Sequence, residues 1–423
     1  MKVYLINIGD ELLIGQVVNT LAADIAAVFD PHDIEIARVE MIGDAKSAIM
    51  DAVGRGLASD CEVIITTGGL GPTRDDITKK VMTDIFGGEM IIDETTLANV
   101  SEVVLARGLK LNDLTRAQAL VPTSCKVIQN RVGTAPIMWF EKHGKVLVSM
   151  PGVPFETLTM LKEEVLNHLQ ERFPPREKTS RRVMIVTGFT ESALARELAD
   201  IEDILPEYLH LAYLPRPGVV RLRLDGRHPD PMILDHEILQ YANLITKRLG
   251  DAVKATEDLS DAEILLKHLI DRGLTVGTAE SCTGGNIAHR ITSISGSSAA
   301  YIGSIVSYAN DVKTGLLGVS NLEIQQNGVV SKPVVEQMCR GLQNSLVVDV
   351  AIATSAIAGH SGAVPGKPVG TVCIAVAVGD KLVSGTYHFN GERQRVIDRA
   401  TSTAIFLAID TITNAQYTPK GYL

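Results

Sequence analysis

Paired cysteines, basic charge and long apolar runs are what this 423-residue sequence has little of. Its five cysteines (Cys61, Cys125, Cys282, Cys339, Cys373) are odd in number and widely scattered, without a Cys-x-x-Cys or Cys/His metal spacing. That argues against a disulfide framework and a zinc-finger type of site, and reads as a cytoplasmic protein with reduced thiols. Forty Lys and Arg against fifty Asp and Glu leave a net charge of −10. Direct nucleic-acid or acidic-membrane binding needs basic surface and is therefore not expected. No basic stretch interleaved with aromatics contradicts this. A small anionic substrate in a local pocket stays open. No apolar window has the length of a membrane span. The opening MKVYLINIGDELL is broken by Asn7 and by Asp10-Glu11, so it does not read as a signal peptide. No fixed-period repeat is visible.

What is there is alternation. The length points to two or three domains. Over 1–172, the runs KVYLINIG, IEIARVEMI, CEVIITTGG and VLVSMPGVP read as strands. Between and after them NTLAADIAAVFD, AKSAIMDAVGRGLA, DDITKKVMTDIF and FETLTMLKEEVLNHLQERF read as helices. Buried strands alternating with amphipathic helices predict a parallel α/β sheet covered on both faces. The proline-rich FPPREKTS is a joint. Residues 178–253 form a smaller α+β unit. Residues 258–415 return to α/β, with TVGTAE, a short VSYA, VDVAIATSAIAG, GTVCIAVAVG and KLVSGTYHF as strands.

Candidate chemistry collects at strand ends, where open α/β sheets bind ligands. Asp10 and Glu11 follow the first strand, with Asn19 beyond; alternatively Asp10 only caps a turn. In TTGGLGPTRDD, Gly68, Gly69 and Gly71 permit close backbone approach to an anion. Thr73 and Arg74 offer donors, and the paired acids Asp75 and Asp76 suit a divalent metal beside phosphate. The bland alternative is a strand-to-helix turn with acids at a helix start. MPGVPFE, with Glu156, and GTAP are further turns of this kind. In AESCTGG, Ser281 and Thr283 point toward a helix start, and the amides of Gly284 and Gly285 form an anion cradle. Cys282 has no neighbouring activator and packs equally well as a small hydrophobe. Ser298, Tyr308 and Lys313 suggest a serine with a lysine base, which a desolvated lysine can supply; the alternative is a polar loop and a surface lysine. Ser355, Gly359, Thr371 and Arg393 lie on further strand-end loops.

Taken together these motifs resemble the competence/damage-inducible protein A family over essentially the whole chain. GDELLIGQVVNT, TTGGLGPTRDD, GTAP and MPGVP are similar to its molybdopterin-binding-type domain. GFTESAL and AYLPRPGVVRLRL are similar to its KH-like connector. AESCTGG, GSSAAY, SYANDVK, GVVSKPVVEQM and KPVGTV are similar to its C-terminal nicotinamide-nucleotide amidohydrolase domain. The resemblance implies hydrolysis of the carboxamide of nicotinamide mononucleotide (NMN) without a cofactor. Ser298 would be the nucleophile, Lys313 the base and Tyr308 their neighbour. Ser281, Thr283, Gly284, Gly285, Ser355, Gly359, Thr371 and Arg393 would hold substrate. It also implies cleavage of ADP-ribose in the first domain by a divalent ion of the magnesium or cobalt type. The ion would sit near Asp10, Glu11, Asp75, Asp76 and Glu156, with Asn19 and the TTGGLGPTR turn on the nucleotide. A homodimer is expected. The rival classes are a non-catalytic nucleotide- or pterin-binding module and an interaction protein of DNA uptake or damage response. Four positions depart from the family pattern: Ala356 stands for a glycine, His360 for a proline, Ile137 for a glycine and Glu392 for an aspartate. A slight loop shift around Ala356 is expected to leave the chemistry intact.

Overall fold

In the strand Lys2–Ile8 six of seven residues are buried, because both faces of the sheet it belongs to are covered. In the computed structural model, which describes residues 1–73, 75–174, 178–357, 359 and 366–413, two compact units divide at Lys178. In the first unit six strands run in the order Glu35–Ile42, Lys2–Ile8, Val63–Thr67, Lys145–Met150, Ile137–Lys142, Lys126–Ile128. The first four are parallel; the last two turn antiparallel. Alternate side chains feed two cores, as strand geometry demands. Val3, Leu5, Val63 and Ile65 pack with Ile25, Phe29, Leu161 and Val165 on one face. Tyr4, Ile6 and Ile64 pack with Ile49, Val53, Val81 and Met82 on the other. The sequence-predicted sheet is thus present, with two antiparallel strands added at one edge. Ile137 is fully buried at the start of one of them.

The second unit holds both the small α+β connector and the C-terminal α/β layer. The connector sheet runs Leu209–Arg216, Val219–His228, Lys178–Val186, Val253–Ala255. Its helix Pro231–Leu249 starts with Asp230 accepting the amides of Met232 and Ile233, and with proline in the first turn. Val183 and Ile185 of the connector enter the same core as Leu265 and Phe406. Lys254 and Asp410 add a buried 2.6 Å ion pair. The C-terminal sheet runs Tyr301–Val306, Val276–Glu280, Val350–Ala356, Thr371–Val378, Lys381–His388. Its first three strands are parallel, so their carboxyl ends share one edge. Helix Arg393–Thr413 covers one face and helix Lys332–Leu346 the other.

Two of the element boundaries that differ from the sequence reading matter below. The strand read as VSYA is Tyr301–Val306, and Ser307-Tyr308 is the loop after it. The helix read from Asp75 starts at Thr78, which leaves Asp75 and Asp76 in the preceding turn. Among the described residues no helix is long and apolar enough to cross a membrane.

Candidate functional site

At the carboxyl edge of the C-terminal sheet, five segments, Val329-Val330 among them, converge on a pocket of about 160 Å³. Ser281 and Cys282 follow the strand Val276–Glu280, and Tyr308, Asn310 and Lys313 follow Tyr301–Val306. Ser355 and Ala356 end the strand Val350–Ala356, and Arg393 opens the last helix. Lys313 is 1% exposed. Its ammonium donates to the backbone carbonyls of Ser307 at 2.5 Å and Tyr308 at 3.2 Å. A lysine nitrogen has three N–H sites when charged, and neutral carbonyls do not balance that charge. Burial accordingly lowers the Lys313 pKa. The Arg393 guanidinium donates to the Tyr308 hydroxyl at 3.2 Å and leaves a positive charge at the rim. Gly359 flanks it: a Cβ there would lie 3.6 Å from Arg393 Nη1.

Within the single chain Ser298 does not line this pocket. It lies in the turn Ser297–Ala299, which precedes the strand Tyr301–Val306, whereas Tyr308 and Lys313 follow that strand. Six strand residues at about 3.3 Å each put roughly 20 Å between the two ends. Ser298 is exposed at the amino edge of the sheet. Two serines share the pocket with Lys313, Ser281 and Ser355, and the Ser355 hydroxyl donates to the Val329 carbonyl.

The glycine turn is also built differently from the anion cradle read in the sequence. The carboxylate of Glu280, fully buried, accepts the amides of Gly285 at 3.0 Å, Ile287 at 3.1 Å and Ala288 at 2.8 Å. Thr278 donates its hydroxyl to the same carboxylate at 3.0 Å. The Gly284 amide donates to the Ser281 carbonyl. The amides assigned to substrate are therefore occupied by the chain itself. Gly284 and Gly285 serve the turn through positive φ of 59° and 99°. Thr283 shares a 2.8 Å hydrogen bond with Thr354, tying the turn to the next strand. Ser355 donates to the Val329 carbonyl while lining the pocket, and Thr371 donates to the Pro368 carbonyl within its own turn. The Cys282 thiol is 6% exposed, and burial pushes it up to about 12, so it holds no thiolate at neutral pH. Ala356 lies in extended strand paired with Val372, and its methyl packs against the core. His360 lies outside the described residues.

Sequence reasoning passed over Glu280, Asn310, Val329, Val330 and Ser307. Glu280 left one signal: a carboxylate ending a buried strand needs donors nearby. The Ser307 hydroxyl is buried with no partner among the described residues.

In the first unit Asn7 donates to Thr67 at 2.7 Å and accepts from Asn19 at 3.0 Å, so Asn19 braces two strand ends. Gly68 has φ 103°, and a Cβ there would lie 2.2 Å from the Ile8 carbonyl. Gly69 has φ 64°. Asp76 accepts the amides of Gly71 at 2.7 Å and Thr73 at 2.9 Å, plus the Thr73 hydroxyl at 2.5 Å. Arg74 lies outside the described residues. Asp10 exchanges backbone–carboxylate bonds with Asp44, a residue the sequence reading missed. Burial raises the Asp44 pKa, and the charges of Asp10, Glu11 and Asp76 raise it further. Glu156 is apart from these, accepting Asn130 Nδ2 at 2.9 Å where Gly133 leaves room. Asp75 is exposed. Among the described residues no three His, Cys, Asp or Glu side chains form a group that could hold a metal ion. The five expected ligands are thus not a protein cage. Asp10, Glu11, Asp44 and Asp76 supply oxygen donors but no three of them converge, so an ion here would draw most of its ligands from substrate phosphates and water, as magnesium commonly does.

Three family profiles match in order. A probable molybdopterin binding domain covers residues 4–171, the damage-inducible protein CinA KH domain 181–253 and the CinA C-terminal domain 259–412. A CinA-like protein of Flavobacterium psychrophilum is 39% identical over 407 residues, covering 96% of this chain and 97% of that one. The chain belongs to the CinA-like family. A putative competence-damage inducible protein of Caldicellulosiruptor saccharolyticus is 34% identical over 420 residues, covering 98% and 100%. The solved structure of a CinA protein from Thermoplasma acidophilum, described as having unknown function, is 32% identical. It covers 40% of this chain and 96% of its own, with a TM-score of 0.35.

Proposed function

We propose that this CinA-like protein is a hydrolase of pyridine nucleotides, and that its C-terminal pocket hydrolyses the NMN carboxamide with Ser281 as nucleophile and Lys313 as base. The observation that carries this reading is that Lys313, almost fully buried, and Ser281 line one small pocket. Burial lowers the Lys313 pKa, which favours the neutral amine that a base for the serine proton must be. Ser281 Oγ attacks the carboxamide carbon while its proton moves to Lys313. The C–N bond then breaks, Lys313 returns the proton to the leaving nitrogen and ammonia departs. Water, deprotonated by the same lysine, cleaves the acyl–Ser281 ester to give nicotinate mononucleotide, and Lys313 returns that proton to Ser281 Oγ. Arg393, held by Tyr308, faces the substrate phosphate. Glu280 holds the turn that aims Ser281 and touches no reacting atom.

In the first unit the proposed reaction is cleavage of ADP-ribose at its pyrophosphate. A divalent ion brought in with the substrate phosphates would supply Lewis-acid stabilisation of phosphoryl oxygens, with no more than two of Asp10, Glu11, Asp44 and Asp76 on it. Asp76 also keeps the TTGGLGPT turn in shape. The cytoplasmic setting and a homodimer belong to the same proposal, the latter checked by light scattering on the eluted protein. The deciding experiment incubates purified protein with NMN and, separately, with ADP-ribose plus magnesium or cobalt. Ammonia from the first and AMP from the second are the expected products. Absence of both, in a folded protein, would leave a non-catalytic nucleotide-binding module as the better reading.

A further inference from the structure

Between the connector hairpin and the last helix lies a cleft of about 570 Å³ that shares no residue with the Ser281 pocket. Its size is in the range of small-molecule sites. The floor is apolar: Ile185 and Phe406 are each 2% exposed, with Leu259 and Ile294 beside them. The rim carries Arg216, Arg221 and Arg290. Asp258 pairs with Arg221, and Asp261 accepts from Arg290 at 2.7 Å. The Ser402 hydroxyl also accepts from Arg290 at 2.7 Å. These contacts fix two guanidinium planes and balance their charge. The side chain of Arg216, at the exposed hairpin tip, has no ion pair or hydrogen bond among the described residues. Of the charged residues that line the cleft, three arginines and two aspartates, one positive charge is left over in a chain whose net charge is −10; Asp398, outside the lining, also lies 3.6 Å from Arg290. A guanidinium recognises phosphate through forked N–H donors and lies flat on planar rings.

We propose that this cleft binds an organic phosphate bearing a flat ring, of mononucleotide size. The phosphate lies on Arg216 and the free N–H groups of Arg221, and the ring lies over Phe406 and Ile294. Because its walls come from the connector and from the C-terminal layer, an occupant holds the two together. This inference does not depend on either proposed reaction.

The test is calorimetric titration of the full chain with AMP, adenosine and inorganic phosphate, with amide exchange read over the peptides spanning 209–228 and 256–264. AMP should bind saturably and protect both segments, and adenosine and phosphate should each bind about tenfold or more weakly. Arg216→Glu reverses the one unpaired charge at an exposed position and should weaken AMP by about tenfold or more. Ser293→Trp, also exposed at the cleft wall, blocks it sterically and should abolish the protection. Unchanged AMP affinity in both variants overturns the proposal, as does protection confined to 276–285 or 66–78. So does adenosine binding as well as AMP, which would leave the arginines without a role.

Discussion

Two glycine-rich turns, one in each unit, look alike in sequence and have been put to different use. TTGGLGPTRDD and AESCTGG both follow a buried parallel strand and both lead toward a helix. In each, the amides that seem ready for a phosphate are taken by a carboxylate of the turn itself. Asp76 does this from the far side of its glycines on an exposed loop. Glu280 does it from the near side, fully buried. The second arrangement is rigid, and a buried lysine and a serine share a pocket beside it. The first leaves an open acidic edge that needs an ion and a substrate to complete it. A glycine turn is thus no evidence of an anion until the chain's own carboxylates have been placed.

The largest expected effect is at the buried pair. Ser281→Ala and Lys313→Ala should each lower NMN deamidation on the order of a thousandfold or more, because the two act as one unit. Their effects in combination should be far from additive, as a double-mutant comparison of ammonia release will reveal. Asp76→Ala should remove ADP-ribose cleavage while NMN turnover stays unchanged, since distant sites rarely couple. Equal loss of both activities in a folded variant would mean that the two turns are not independent. Glu280→Gln substitutes an amide where three backbone donors converge. It should reduce stability by about 1–3 kcal/mol in denaturant titration, with kcat falling more than KM rises as Ser281 loses its aim. Lys313 must lose its proton to act as base. NMN turnover should therefore fall as pH drops through the Lys313 pKa, which burial places below the usual 10.5. A pH–rate profile flat through that region would remove Lys313 from the role. The smallest effect is at Ala356→Gly: the methyl sits in unstrained strand, so deamidation should change less than about threefold.

The fold was readable because apolar runs and helical periodicity survive wherever both faces of a sheet are covered. The edge strand Tyr301–Val306 was misread for the same reason in reverse. No position in its YIGSIV is fully buried, so no clean pattern marks it. That shift moved Ser298 from the apparent neighbourhood of Lys313 to the opposite sheet edge. Tyr308, Lys313, Ser281 and Arg393 were legible as candidates because parallel strands collect their carboxyl ends. Which serine faces the lysine is a matter of strand direction, which residue types do not record. Glu280 was hidden because its burial depends on three amides that exist only once the helix has formed. Asp44 was hidden because it reaches Asp10 from 34 residues away.

The most direct test sets Ser281→Ala beside Ser298→Ala and measures ammonia release from NMN under identical conditions. Ser281→Ala should be inactive and Ser298→Ala should keep activity within about twofold of the parent, as expected for an exposed residue remote from the pocket. Loss of turnover in Ser298→Ala with retention in Ser281→Ala would contradict the assignment of the pocket and return the nucleophile to the other edge of the sheet.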